Sequence, residues 1–181
     1  RTRLETAKEV VFIEKKVEEQ EIVFLMDRFG YVKTIDLTTY ERNKEAAENE
    51  NKYVVKCSNI GKICLFTNTG QMHAIKVFDI PYGKFRDKGQ PIDNLSNFNS
   101  GKEQVCCLLP SEVLEESKIL FGTSDGMVKI VPGSEFMAGK RTIVATKLND
   151  GEQLLLVASV NGEESLIMES KKGYFLRFAV S

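Results

Sequence analysis

The chain repeats one pattern of apolar and polar positions four times. Each copy has an apolar run, a polar turn that contains a glycine, and a second apolar run; the turn glycines are Gly30, Gly70, Gly126 and Gly173. A tight turn between antiparallel strands needs a residue at positive φ, which glycine adopts without steric cost. The flanking runs are rich in Val, Ile, Phe and Tyr, which favour strands. Each copy is therefore predicted to be a β-hairpin.

Further strands are predicted before the first hairpin, at the short apolar run 10–13, and between the hairpins, at 53–57, 104–109, 142–145 and 154–160. Each unit then has room for about four strands, and the turn glycines are 40 to 56 residues apart, a spacing typical of propeller blades. Because the hairpin arms are apolar at consecutive positions, both faces of each sheet must be covered, and stacking of neighbouring sheets provides that cover. The pattern predicts an all-β, propeller-like array of about four blades.

The segments between the apolar runs are predicted to be irregular, with one exception. Residues 44–51 have no apolar periodicity and are expected to form a solvated loop, and 111–118 are expected to form an acidic loop or at most one helical turn. The exception is 38–43, where the second arm of the first hairpin is expected to continue. We expect 1–9 to be a linker and 10–181 to be the domain, whose last blade could continue past Ser181.

Composition fits one domain and disfavours several other classes of protein. With 181 residues and 42 % hydrophobic content, the chain can bury a full core. It has no apolar run long enough to span a membrane, and residues 1–8 lack the apolar core of a signal peptide. Its four cysteines form no C-x-x-C pair, and His73 has no partner at zinc-ligand spacing. We expect buried thiols in a reducing cytosol, a structural or surface His73, and no metal or cofactor.

The net charge of −1 does not decide for or against a nucleic-acid partner until the positions of the charges are considered. A cation stands three positions after the turn glycine at Lys33, His73 and Lys129, and four positions after it at Arg177. Adjoining loops add further cations, whereas glutamates concentrate at 14–21, 45–50 and 112–116. This repetition predicts a basic belt that would hold phosphates irrespective of base sequence. For any single lysine, ordinary surface solvation is the alternative, and Lys33 could simply extend past an apolar face.

Three segments of the chain resemble the C-terminal domain of the A subunit of bacterial type IIA topoisomerases, DNA gyrase and topoisomerase IV. They are DRFGYVKTID at 27–36, TNTGQMHAIK at 67–76 and SKKGYFLRF at 170–178, and the segment GKFRDKGQPIDNL at 83–95 is similar to the connection between blades in that family. The resemblance covers about 10–181. It implies a β-pinwheel, a propeller-like disc whose blades exchange strands and whose rim binds and bends double-stranded DNA. Carried over by position, the DNA-binding residues would be Lys33, Arg42, Lys84, Arg86, Lys88, Lys129, Lys140, Arg141, Lys171, Lys172 and Arg177.

The chain departs from the family pattern in three ways. His73 stands where a lysine is expected, which implies a weaker or pH-dependent DNA contact. Gyrase has a Q-R-R-G-G-K-G box in its first blade, but nothing in 1–62 matches it, and the nearest stretch, 84–90, carries Asp87. Four repeats are also fewer than the six of gyrase. The resemblance therefore favours the topoisomerase IV type.

The resemblance also implies what the chain does not do alone. The catalytic tyrosine, metal site and ATPase of the family lie in other domains or subunits, so this chain is expected to be non-catalytic. Its partners would be duplex DNA, the ATPase B subunit and the remainder of the A subunit, with a cytoplasmic, nucleoid-associated location.

The residues themselves leave two other functions open. The first is a propeller-like protein-interaction module that does not bind DNA and uses the acidic loops as partner sites; the near-neutral net charge favours it. The second is an enzyme, which is disfavoured because the chain has no G-x-S-x-G elbow, no P-loop, no metal cluster and one histidine.

Overall fold

The structure is a computed structural model that describes residues 18–137 and 139–180. These residues form four antiparallel sheets with three short α-helices and three 3₁₀ turns. The strand predicted at 10–13 and the linker predicted at 1–9 lie outside the described residues.

The strands in chain order are β1 (Glu21–Asp27), β2 (Tyr31–Asp36), β3 (Asn51–Ser58), β4 (Lys62–Thr67), β5 (Gln71–Lys76), β6 (Gln90–Pro91), β7 (Val105–Pro110), β8 (Lys118–Thr123), β9 (Val128–Pro132), β10 (Thr142–Val144), β11 (Leu154–Val160), β12 (Ser165–Glu169) and β13 (Phe175–Ala179). The helices are α1 (Leu37–Arg42), α2 (Lys44–Glu50) and α3 (Ser111–Glu116), and the 3₁₀ turns are Val77–Asp79, Ile92–Asn94 and Gly133–Phe136.

All four predicted hairpins are present, as β1–β2, β4–β5, β8–β9 and β12–β13. Their turn glycines have φ values of 85°, 76°, 81° and 78° in chain order. Residues with a Cβ rarely adopt this region, so glycine is required there by the geometry of the turn. The first turn is closed further by the carboxylate of Asp27, which accepts hydrogen bonds from the amides of Phe29 and Tyr31.

Each of the first two hairpins is completed by a strand from beyond the next hairpin. The sheets, named blades 1 to 4 in chain order, have the strand orders β3-β1-β2-β6, β10-β5-β4-β7, β11-β8-β9 and β12-β13. Gln90 pairs with Val32, and Ile143 pairs with Met72, so each donated strand meets the second residue after the turn glycine. The exchange of strands implied by the resemblance is therefore present in blades 1 and 2.

The apolar core lies between successive blades. One cluster joins blade 1 to blade 2 and includes Phe24 and Leu65, and a second joins blade 2 to blade 3. In the second cluster, Phe66, Phe121 and Phe136 meet edge to face with ring centroids 5.6 to 5.8 Å apart. The predicted stacking of neighbouring sheets is confirmed for blades 1 to 3, because both faces of blade 2 are buried in this way.

Two predictions for the segment after the first hairpin are wrong. Within 38–43, residues 38–42 do not continue the strand and instead lie in α1, and within 44–51, residues 44–50 form α2 rather than a solvated loop. The reason is tertiary: Tyr40 of α1 and Ala47 of α2 are buried against the face of blade 1 that no other blade covers within the described residues. Helices provide the cover there that a neighbouring sheet provides elsewhere.

The acidic segment 111–118 is more ordered than predicted. It contains the six-residue helix α3 rather than a loop or a single turn. Leu114 is fully buried in the core between blades 2 and 3, and the hydroxyl of Ser111 accepts a hydrogen bond from the amide of Lys62 at 3.0 Å. One apolar side chain therefore anchors a segment whose glutamates remain at the surface.

Candidate nucleic-acid interface

Nearly all of the predicted DNA-binding cations are exposed. Lys33 is half-buried, and the others are at the surface: Arg42, Lys84, Arg86, Lys88, Lys129, Lys140, Arg141, Lys171, Lys172 and Arg177. Within 18–137 and 139–180, the basic side chains that lie within 4.0 Å of a carboxylate are Lys44 at Glu48 and His73 at Glu103, so none of the predicted cations pairs with a carboxylate of that part of the chain. Exposed cations that are not held in ion pairs are available to bind anions.

Blade 1 brings three of these cations to one depression of about 610 Å³, called the blade 1 surface. It is lined by Lys33, Arg86 and Lys88 together with Tyr31 and Phe85. The Nζ of Lys88 lies 4.4 Å from the centre of the Tyr31 ring, at cation–π distance. The same depression contains three carboxylates, those of Asp27, Glu50 and Asp87. The charge of this surface is therefore mixed.

Blade 2 gathers a denser group of cations, called the blade 2 surface. Lys140 and Arg141 line a shallow depression together with Lys62 and Lys76, around the single carboxylate of Asp79. Lys62 and Lys76 are paired across the open end of the second hairpin. Sequence analysis missed both lysines, although the register set by the turn at Gly70 was enough to place them opposite each other.

Blade 3 presents a smaller group, called the blade 3 surface. Lys129 and Lys147 line a depression of about 390 Å³ that also contains Glu152. Hydrogen bonds, chiefly from the amide of Asn149, lower the pKa of Glu152, so this carboxylate is charged at neutral pH. The Nζ of Lys129 is 5.4 Å from the centre of the Phe121 ring. Lys147 was also missed by sequence analysis, because it follows a donated strand rather than a hairpin.

The remaining predicted cations do not line these depressions. Lys171 and Lys172 are in the turn of the fourth hairpin, and Arg177 on β13 donates to the hydroxyl of Ser165 at 3.4 Å. Arg42 is in the last turn of α1, where a cation is favourable to the helix dipole. Lys84 is exposed, and its amide donates to the carboxylate of Asp87.

Two of the three residues that follow a turn glycine by three positions contact protein rather than solvent. The Nζ of Lys33 donates to the carbonyl oxygens of Phe85 and Asp87. Burial lowers the pKa of Lys33. His73 is 1 % exposed and lies 2.8 Å from the carboxylate of Glu103. The DNA contact expected of His73 is therefore wrong, because a buried ring cannot reach a phosphate, and its role is structural.

The cysteines are reduced thiols, of which two are as buried as predicted. Cys57 and Cys64 are buried, whereas Cys106 and Cys107 are half-buried. Burial raises the pKa of Cys57 to about 12 and that of Cys64 and Cys107 to about 11. Such groups are neutral thiols at physiological pH and poor nucleophiles.

The part of the chain that the structure describes contains no cluster of three or more His, Cys, Asp or Glu side chains that could hold a metal ion. The helices of that same part are all too short or too polar to cross a membrane.

Glycine hairpins completed by exchanged strands, with cations on successive blades, define a β-pinwheel of the propeller-like class. The family model described as DNA gyrase C-terminal domain, beta-propeller, matches residues 117–161. The A subunit of DNA gyrase from Neisseria gonorrhoeae is 29 % identical over 176 residues, which cover 91 % of this chain and 19 % of that protein. The resemblance to the C-terminal domain of type IIA topoisomerase A subunits, seen in the sequence, is confirmed.

Solved structures of such domains share the fold. The C-terminal domain of DNA topoisomerase IV superposes with a TM-score of 0.76 at 24 % identity, covering 91 % of this chain and 53 % of that one. The Escherichia coli ParC C-terminal domain has a TM-score of 0.70 at 18 % identity, covering 89 % and 65 %. The chain spans about a fifth of the length of the curated relatives that it matches.

Proposed function

We propose that this chain is a non-catalytic domain that binds and bends duplex DNA within the A subunit of a type IIA topoisomerase. The observation that supports this proposal most is the recurrence of exposed cations on successive blades, without carboxylate partners among the described residues. The domain captures a DNA segment and presents it to a cleavage core elsewhere in the enzyme. The partners are the ATPase B subunit and the remainder of the A subunit, in a cytoplasmic, nucleoid-associated location.

Binding through phosphates accounts for both capture and bending. Cations on separate blades contact the backbone at several points, and each contact releases counterions without reading the bases. Bending 20–30 base pairs by 40–90° costs roughly 1–6 kcal/mol, so several contacts must act together to offset the deformation. The DNA-binding set consists of the exposed predicted cations with Lys62, Lys76 and Lys147 added.

We place the domain in the topoisomerase IV type rather than the gyrase type. The basis is the absence of a Q-R-R-G-G-K-G segment from residues 1–181, although the sequence relatives are gyrase A subunits. A supercoiling assay of the intact enzyme decides between the types: decatenation and relaxation without negative supercoiling support our assignment, and ATP-dependent negative supercoiling contradicts it.

The DNA-binding proposal is tested by reversing the charge of the loop cations Lys84, Arg86 and Lys88 together. We expect the affinity for duplex DNA, measured by fluorescence anisotropy at low salt, to fall by at least about tenfold. The matched control reverses Lys44, Lys52 and Lys56, which changes the net charge equally but lies outside the three surfaces. Equal losses of DNA affinity in the two variants would mean that only the net charge matters. No loss of affinity on reversal of Lys84, Arg86 and Lys88 would contradict the proposal.

A protein-interaction module is the second candidate, and one observation favours it. A mainly apolar depression of about 520 Å³ lies between blades 1 and 2, lined by Ile22, Val77, Ile80 and two exposed aromatic rings. Phe78 is 78 % exposed and Tyr82 is 64 % exposed, which is typical of protein contacts. Under this alternative, the triple charge reversal leaves binding of the protein partner intact, whereas the double substitution Phe78→Ser with Tyr82→Ser abolishes that binding.

A further inference from the structure

The residue three positions after the turn glycine occupies an equivalent place in blades 1, 2 and 3. Lys33 is opposite Leu25, His73 is opposite Leu65 and Lys129 is opposite Phe121. The donated strands also have equivalent registers: Gln90 and Ile143 each pair with the second residue after the glycine. Contacts made by this position in different blades can therefore be compared directly.

In blade 1, this position binds the donated segment through its ammonium group. The Nζ of Lys33 donates to the carbonyl oxygens of Phe85 and Asp87, at 2.8 Å for Asp87, and lies 5.2 Å from the centre of the Phe85 ring. These are residues of the segment that leads into β6. Two carbonyl oxygens and an aromatic face satisfy a cation that is half-buried, so its position is well defined.

In blade 2, a different side chain makes the same kind of contact. The Nδ1 of His73 is 3.1 Å from the hydroxyl of Thr142, the first residue of the donated strand β10, and its Nε2 is 2.8 Å from Glu103. The side-chain amide of Asn97, through Nδ2, also donates to the hydroxyl of Thr142 at 3.0 Å. A buried polar group is costly without partners, so this network requires β10 to be in place.

The loop that Lys33 binds also makes contacts of its own. The carboxylate of Asp87 accepts a hydrogen bond from the amide of Lys84 at 2.7 Å, and a Cβ on Gly83 would lie 2.5 Å from the same carboxylate. The amide of Gly83 donates to the carbonyl of Thr34 on β2. Lys33 holds the middle of this loop, and the exposed side chains of Arg86 and Lys88 extend from it.

We infer that in blades 1 and 2 the side chain three residues after the turn glycine clamps the segment donated from beyond the next hairpin, and that Lys33 thereby positions Arg86 and Lys88. The second half of this inference rests on the DNA-binding function proposed above. Lys33 is then a positioning residue and not itself a phosphate contact. In blade 1, the cation three positions after the turn glycine therefore holds the donated segment, and the DNA contacts of this blade lie on the loop that it holds.

The test compares Lys33→Met with Lys33→Arg and with the control Lys56→Met, which removes an exposed lysine from β3 of the same sheet. Trypsin cleavage after Lys84, Arg86 and Lys88 and hydrogen exchange of 83–92 report on the loop without DNA. We expect Lys33→Met to increase both by at least about tenfold, Lys33→Arg to restore most of the protection, and Lys56→Met to match the wild type. In blade 2, Thr142→Val is expected to accelerate exchange in 140–146 in the same way.

Affinity for duplex DNA is measured on the same variants. We expect Lys33→Met to weaken binding by about tenfold and Lys33→Arg to restore it. If the loop of Lys33→Met is as protected from trypsin and from hydrogen exchange as that of the wild type, the clamp is overturned. If the loop is exposed but the affinity for DNA is unchanged, the positioning role of Lys33 is overturned. If the wild type does not bind DNA at all, the proposed function fails. The cleavage and exchange data still show whether Lys33 holds the loop, because they are measured without DNA.

Discussion

At the scale of single residues, Asp36 determines where the first hairpin ends. Its carboxylate accepts hydrogen bonds from the amide of Thr39 at 2.7 Å and from the hydroxyl of Thr39 at 2.5 Å, which is the geometry of a helix N-cap. The chain therefore leaves β2 and enters α1 at this position. The same hydrogen bonds, that of the hydroxyl first, lower the pKa of Asp36.

We expect Asp36→Ala to lower the melting temperature at pH 7, because the first turn of α1 loses its cap. The lowered pKa of Asp36 means that its contribution is present above the pKa of the unfolded chain, about 4, and is lost as pH falls towards the folded pKa. The difference between wild type and variant should therefore shrink between pH 7 and pH 3 in thermal unfolding followed by circular dichroism. Asp150→Ala, an exposed loop substitution, is the control, and an equal loss there would contradict the assignment.

The thiols provide a second prediction at this scale. We expect Cys106 to be alkylated first by iodoacetamide at pH 8 and Cys57 last, because Cys106 is half-buried whereas Cys57 is buried and has its pKa raised to about 12. Mass spectrometry of digested samples gives the order. In urea, all four thiols should react at similar rates, and early modification of Cys57 in the folded protein would contradict its burial.

At the scale of elements, α3 and the turn Gly133–Phe136 are packed so closely that one glycine is obligatory. A Cβ on Gly133 would overlap the carbonyl oxygen of Leu114 in α3, and the amide of Gly133 donates to the carbonyl of Ser117 at 2.7 Å. Backbone atoms cannot move aside as a flexible side chain can.

We expect Gly133→Ala to lower the free energy of unfolding by more than about 2 kcal/mol, measured in urea, because α3 and the turn must separate. Gly139→Ala is the matched control, since a Cβ there has no atom within 4 Å. A small effect at Gly133 would mean that the two elements are not in contact.

The sequence predicted the hairpins but not the helices, because hairpins depend on residues close in sequence whereas these helices depend on tertiary packing. A hairpin is specified by neighbours in sequence, and Gly30, Gly70, Gly126 and Gly173 all have the positive φ that their turns require. Helices α1 and α2 depend instead on the burial of Tyr40 and Ala47 against one face of blade 1, and two apolar side chains are too few to predict this packing from the sequence. The exchange of strands came from the family resemblance, and the contacts of Lys33 depend on that exchange.

At the scale of the whole molecule, DNA affinity depends on how many blades contact phosphates at once. If each of four blades neutralises one phosphate, the logarithm of the association constant should fall with the logarithm of salt concentration with a slope of about −4. We expect Lys76→Ala, on the blade 2 surface, to reduce the magnitude of this slope by about 1. Salt titrations followed by anisotropy measure both values, and Lys44→Ala, whose side chain pairs with Glu48, should leave the slope unchanged.

The donation of strands has a consequence for the order in which the protein is made. Blade 1 cannot close its edge until Pro91 has left the ribosome, and by then the second hairpin, which ends at Lys76, has already been synthesised. Blade 2 in turn waits for Val144, beyond the third hairpin. Every incomplete blade leaves unpaired backbone groups on the nascent chain, which other strands can pair with. During translation, blades 1 and 2 are therefore each completed only after the hairpin of the next blade has been synthesised.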